Sequence, residues 1–189
     1  MTRITTPLAL ALLGFILLSQ GAYIHAKALL AQILLQQAFA ETVAAGHPTK
    51  PWSWADTWPV ARIEVKRIGA SAIVLAGSSG QALAFGPGHV ELTPDAGERG
   101  VAVYSAHRDT HFRFLRDVAI GDEIDVTRSD GRTFRFRADG TSVVRFDASG
   151  IDPLSRNYEL VLSTCWPFDA LTSGPDRYLL HATLIGSDR

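Results

Sequence analysis

Three short runs constrain the fold more than any other feature of the sequence. In RIEVK (62–66), EIDVT (123–127) and TFRFR (133–137), apolar and polar residues alternate with a period of two. Successive side chains of a strand point to opposite faces, so each run reads as a strand with one buried face: Ile63 and Val65, Ile124 and Val126, Phe134 and Phe136. The last two runs are separated by RSDGR, in which Asp130-Gly131 predicts a hairpin, both residues being tolerant of positive φ. Further strands are expected at Ala72 to Leu75, Val101 to Ala106, Val143 to Phe146, Tyr158 to Thr164 and Tyr178 to Ile185. Helical pattern in this region is confined to short pieces such as THFRFLRDV. Many short strands joined by Gly/Pro turns predict an all-β barrel or sandwich beginning near Ala61.

The N-terminus has a different character. Between Arg3 and Lys27 lie 23 residues without a formal charge. As a helix rising about 1.5 Å per residue, they are long enough to cross a hydrocarbon layer of about 30 Å. A cleaved signal peptide, with an apolar core from Leu8 to Leu18 and AKA at 26–28 as its cleavage site, competes with an uncleaved anchor. The anchor is preferred, because helical periodicity continues past that site through Leu29, Leu30, Ile33, Leu34 and Phe39. Either reading exports the remainder of the chain. The sequence therefore divides into an anchor and stalk helix (1–45), a Trp/Pro-rich linker (46–60) and a β-domain (61–189). The strands carry their own apolar face, and nothing in their pattern requires the helix to complete a core. Pro48, Pro51 and Pro59 forbid a regular helix in the linker. Trp52, Trp54 and Trp58 suit either a membrane interface or, as we prefer, the flank of the β-domain.

Composition mainly excludes. A formal net charge of −1 leaves no electrostatic footprint for nucleic acid. One cysteine allows no internal disulfide, and no Cys/His spacing fits zinc. Glu91, Asp95 and Glu98 are too scattered for a dedicated calcium loop. Neither metal nor cofactor is expected.

The single cysteine is instead placed for chemistry. VAVYSAHRDTHF runs as a strand into His107, ELVLSTCWPF ends one at Cys165, and GPDRYLLHATLIG begins one at Arg177. A thiolate attacks a carbonyl, and a neighbouring imidazolium or guanidinium favours the thiolate form. A histidine can protonate a departing amine, and a guanidinium offers a planar fork of donors to an oxyanion. His111, past the strand end, is the weaker candidate for the acid. His89, His181 and Asp109 read as structural or incidental.

These stretches resemble the sortases, cysteine transpeptidases of bacterial surfaces. Val161-Leu162-Ser163-Thr164-Cys165 is similar to the family's Thr-Leu-x-Thr-Cys motif, with Val in place of the first Thr. SAHRDTHF matches its histidine strand, DRYLLHA its arginine strand, and the Gly-Pro-x-His turn lies in AFGPGHVEL. The likeness covers about residues 60 to 186, and the PWSWADTWPVARIEV approach and compact size look most like the sortases of proteobacteria.

The resemblance implies a closed eight-stranded β-barrel and a membrane-tethered, extracytoplasmic enzyme. A C-terminal sorting signal of an exported protein, similar to Leu-Pro-x-Thr-Gly, would be cleaved through a Cys165 thioester. An amine acceptor on the envelope or another protein would resolve it. In that reading His107 is general acid and then base, Arg177 stabilises the oxyanion, and Thr164 helps position substrate. Two alternatives stay open: a cysteine hydrolase with water as acceptor, and a non-catalytic tethered β-domain that binds a surface ligand.

Overall fold

A computed structural model describes residues 2–170, 172 and 174–188, with side chains from Leu10 onward. Helix α1 (Thr2–Ala45) is followed by strands β1 (Pro59–Val65) and β2 (Ala70–Leu75), a short helix α2 (Gly80–Phe85) and the two-residue strand β3 (Gly88–His89). Then come β4 (Gly100–Ser105), β5 (Glu123–Arg128), β6 (Thr133–Arg145), β7 (Tyr158–Cys165) and β8 (Asp176–Asp188). The strands close into a barrel in the order β1-β2-β3-β4-β7-β8-β6-β5. The expected eight-stranded barrel is therefore observed.

The alternation places the core where the sequence puts it. Ile63, Val65, Ile124, Val126, Phe134 and Phe136 all point into one cluster, which Tyr104, Leu160, Leu162 and Leu180 complete from the other strands. The opposite face of β4, β7 and β8 is apolar as well, with Val101, Val103, Val161 and Leu179 covered by Val90, Val144 and Ile151 from outside the barrel.

Three details differ from the sequence reading. The piece at Val143–Phe146 is the continuation of β6, which runs unbroken from Thr133 past register shifts at Arg135/Phe136 and Ala138/Gly140. THFRFLRDV forms only a 3-10 turn at Arg113–Asp117. In the hairpin, Gly131 alone has positive φ, at 81°. Its N–H donates to the Arg128 carbonyl, while the Arg128 N–H donates to Arg132. This is a type I turn closed by a left-handed glycine, not a turn that needs two such residues.

Among the described residues, none of α1 enters the barrel core, but the helix does build a second cluster on the outside of the barrel, which the strand pattern gave no reason to expect. Ala31, Leu35, Ala38, Phe39 and Thr42 form a buried stripe along its second half, at the spacing of one helical face. Leu35 and Phe39 pack on Ile73 and Leu75, on the outward face of β2, and on Ala82 of α2. Gln32 Nε2 donates to the Phe85 carbonyl at 2.8 Å, and Thr42 Oγ1 accepts from the Thr49 N–H at 3.0 Å, turning the chain into the linker. The stalk is thus one wall of the barrel's outer layer. Truncating a fully buried leucine costs about 2–5 kcal/mol. Leu35→Ala should lower the unfolding free energy by that amount in urea titrations followed by circular dichroism. An unchanged midpoint would mean that the helix rests on the barrel without stabilising it.

Candidate active site

The site is assembled by register. β4 and β7 run parallel with Ser105 opposite Ser163, and β7 and β8 run antiparallel with Cys165 opposite Arg177. The three strands are consecutive in the barrel, so their ends adjoin. The Trp166 N–H donates to the Asp176 carbonyl at 3.0 Å, which makes 166/176 a hydrogen-bonded rung. Cys165/Arg177 is then the non-hydrogen-bonded rung, where directly opposite Cα atoms stand about 4.5 Å apart and side chains share one face at closest approach.

His107 follows two residues after β4. The Ala106 N–H donates to the Ser163 carbonyl at 3.1 Å, and Thr164 Oγ1 donates back to the Ala106 carbonyl at 2.7 Å. These two bonds fasten the residue before the histidine to the two residues before the cysteine. The His107 carbonyl accepts from the Phe112 N–H at 3.1 Å, so the chain turns tightly away from the strand end. Cys165 is a free, half-buried thiol and His107 is exposed.

Arg177 is half-buried. Its Nη1 donates to the Gly174 and Asp176 carbonyls at 2.9 Å each, and its guanidinium lies 5.7 Å from the Phe146 ring centroid. These bonds engage one nitrogen and hold the fork in place; among the described residues Nε and Nη2 make no hydrogen bond. Arg177 borders a cavity of about 320 Å³ floored by Val103, Ser163 and Leu179 and walled by Leu92 and Ile151. Glu91, Thr93 and Ser105 also line it, so its surface is mixed apolar and polar. Leu92 is unusual there: it is 97% exposed and adopts φ 65°, a conformation that non-glycine residues seldom take outside functional loops.

Thr164 departs from its expected role. It is 1% exposed and lies on the inward face of β7, with its hydroxyl committed to Ala106. It sets the position of the neighbouring chain and does not face a substrate. His111 is partly buried, and desolvation together with the nearby His107 holds its imidazole below the ordinary histidine range. It lines a second cavity of about 490 Å³ with Gln32 and Thr110. His89 is held structurally, with Nε2 3.1 Å from the Pro94 carbonyl and its ring edge-on to Tyr104. His181 is 2.9 Å from Ser142 Oγ. The Asp95 and Glu98 carboxylates pair with Arg128, at 3.2 and 3.1 Å.

Sequence reading passed over Arg108, the residue after the histidine. It is only 9% exposed, and Nη2 donates to the carbonyls of Ala170 at 2.6 Å and Thr172 at 2.7 Å. Its Nη1 has no partner among the described residues. Arg108 thus clasps the turn carrying His107 to the loop that follows Cys165. Arg116 repeats the link with Asp169 at 3.1 Å and with the Phe168 ring at 5.3 Å. The only signal in the sequence is its adjacency to His107, because a charged residue in a loop ordinarily reads as solvated.

A thiol, an imidazole and a guanidinium on three adjoining strand ends of a closed barrel have the composition of a nucleophilic-cysteine site. A family model described as "Sortase domain" matches residues 63–185, and the chain belongs to that family. It is 32% identical over 124 residues to sortase D of Bacillus subtilis (strain 168), a match covering 65% of this chain and 62% of that protein. Among solved structures, sortase A from Corynebacterium diphtheriae superposes with a TM-score of 0.62 at 25% identity, covering 70% of this chain and 63% of that one. A sortase E variant from Streptomyces avermitilis gives 0.58 at 27% identity, covering 69% and 89%. The chain thus spans less than two thirds of the length of the first two relatives.

The clasp makes a prediction. Arg108→Met removes the two hydrogen bonds that hold the Ala170 and Thr172 carbonyls, each contributing about 0.5–1.5 kcal/mol where the partner is within reach of water. Limited proteolysis of the variant should show faster cleavage between residues 168 and 175 than in the parent. Equal cleavage rates would mean that the loop is held by its aromatic contacts alone.

Proposed function

We propose that this protein is a membrane-anchored cysteine transpeptidase acting on exported proteins. The observation that carries the reading is the Cys165/Arg177 rung beside the Ala106–Ser163 junction, which sets nucleophile, oxyanion donor and acid–base group on adjoining strand ends. Cys165, as the thiolate, attacks the scissile carbonyl of a C-terminal sorting signal similar to Leu-Pro-x-Thr-Gly. Arg177 offers Nε and Nη2 to the oxygen as it gains charge. His107 protonates the departing amine, and the C–N bond breaks to leave a thioester on Cys165. An acceptor amine then attacks that thioester, His107 takes its proton, and the thiolate is released as the new amide forms. The cavity beside Arg177, with apolar walls at Leu92 and Ile151 and polar groups at Glu91 and Thr93, supports an extended peptide as substrate.

In this proposal residues 1–45 are anchor and stalk, 46–60 a linker and 61–189 the catalytic barrel. The first half of α1 crosses the cytoplasmic membrane once, with the barrel on the periplasmic or extracytoplasmic side. The likeness to proteobacterial sortases rests on the Trp/Pro-rich approach and compact size. The relatives from Bacillus, Corynebacterium and Streptomyces lend it no support.

The test is a reaction of the full chain in detergent with a sorting-signal peptide and rising concentrations of an acceptor amine, both products being followed by mass spectrometry. A joined product should grow at the expense of the hydrolysed acid, because an oriented amine has a large effective molarity over water. Acid alone at every amine tested would make the protein a hydrolase. Cys165→Ala should abolish turnover and His107→Ala should come close to doing so. Arg177→Lys should lose roughly 10²- to 10³-fold, as expected for an oxyanion donor. A near-full rate for Arg177→Lys would reduce Arg177 to a point charge.

A further inference from the structure

The surface around α1 changes character over one helical turn. From Leu10 to Leu30 the large apolar side chains that carry α1 are exposed, including Leu12, Phe15, Leu18, Ile24 and Leu29. From Ala31 onward one face is buried against the barrel. At that change lies an apolar groove of about 280 Å³, lined by Lys27, Leu30 and Leu34 of α1 and by Trp52, Trp54 and Phe85. Trp52 is seated edge-on against Phe85, with ring centroids 4.9 Å apart. Trp54 is not seated on the protein: its indole is 80% exposed beside the groove.

Length identifies the occupant. The uncharged stretch up to Lys27 fills a hydrocarbon layer of about 30 Å, and the interfacial zone adds about 5–7 Å on each side. Exposed apolar surface on α1 continues past Lys27 through Leu29, Leu30 and Ile33, a rise of about 9 Å, which carries it across that zone. Indoles are favoured at this depth, and a lysine at the edge of the apolar layer reaches toward phosphate.

We propose that this groove and the Trp54 indole form a bilayer-docking surface, occupied by phospholipid of the membrane that α1 spans. The inference rests on the reading of α1 as a membrane span. The acyl region meets Leu30, Leu34 and Trp54, and the headgroup phosphate meets the Lys27 ammonium. Gln32, a rise of about 7.5 Å beyond Lys27, donates to the Phe85 carbonyl of the groove and lines one cavity with Thr110 and His111, so docking brings the turn after His107 close to the bilayer surface.

The test uses the full chain in phosphatidylethanolamine/phosphatidylglycerol vesicles, with brominated phospholipids as fluorescence quenchers. Bromines near the carbonyl end of the acyl chain should quench tryptophan emission, and Trp54→Phe should remove the larger part of that quenchable signal. Trp54 should also be poorly quenched by acrylamide from the water. A reference reporter, Leu17→Trp in the Trp54→Phe background, should be quenched by bromines deep in the chain. If Leu17→Trp is quenched at depth while Trp54→Phe leaves shallow quenching unchanged, the span stands and the docking surface is wrong. If Leu17→Trp escapes deep quenching, the span itself fails and the docking falls with it.

Discussion

The site depends on one junction, where the Ala106 N–H meets the Ser163 carbonyl and Thr164 Oγ1 meets the Ala106 carbonyl. A parallel pair cannot be joined by a tight hairpin, so β4 and β7 come from distant parts of the chain and only the closed barrel brings them together. Once that register is set, Cys165 lies at the end of β7, His107 just beyond β4, and Arg177 directly across from Cys165 on β8. A slip of one residue would turn Cys165 inward and Thr164 outward, since faces alternate with a period of two. The buried hydroxyl of Thr164 acts against that slip, because it finds its acceptor only in the observed register.

Around this junction, loops are tied to one another and not to the strands alone. Arg108 reaches from the histidine turn to the backbone after the cysteine, and Arg116 adds a salt bridge and a ring contact to the same loop. Trp166, Phe168 and Tyr178 pack together beneath it, with ring centroids 5.1 to 5.9 Å apart. The loop after Cys165 is thus held by contacts beyond the Cys165/Arg177 rung itself.

How much of this was legible varied with the type of interaction. Alternation carries its own geometry, so Ile63, Val126 and Phe136 could be assigned to the core and the chain to an all-β barrel or sandwich, while the closed eight-stranded form came from the resemblance to the sortases. The strand ends at His107, Cys165 and Arg177 were legible for the same reason. What remained hidden depends on partners far away in sequence. β3 is two residues long, too short for any period, and exists because Gly88 pairs with Ser105 of β4 and Leu75 of β2. Only glycine fits at Gly88, where a Cβ would stand 2.3 Å from the Gly77 carbonyl oxygen. The stripe through Leu35 and Phe39 was visible as helical periodicity, but nothing in it names Ile73 and Leu75 as the surface it covers. Thr164 was read by its neighbour and not by the face it occupies, and Arg108 by its charge and not by its burial. The tryptophans divide between the two readings, Trp52 packed on Phe85 and Trp54 exposed.

In the proposed reaction this register makes Cys165 Sγ the atom on which the acyl group is carried. This is tested most directly by trapping that bond. The full chain is mixed with sorting-signal peptide, quenched in acid within the first turnovers, digested, and analysed by mass spectrometry. An acyl adduct should appear on the peptide containing Cys165, discharged by hydroxylamine as a thioester is and reduced in His107→Ala. Cleavage of the sorting peptide with Cys165 unmodified, or continuing in Cys165→Ala, would contradict the proposed reaction.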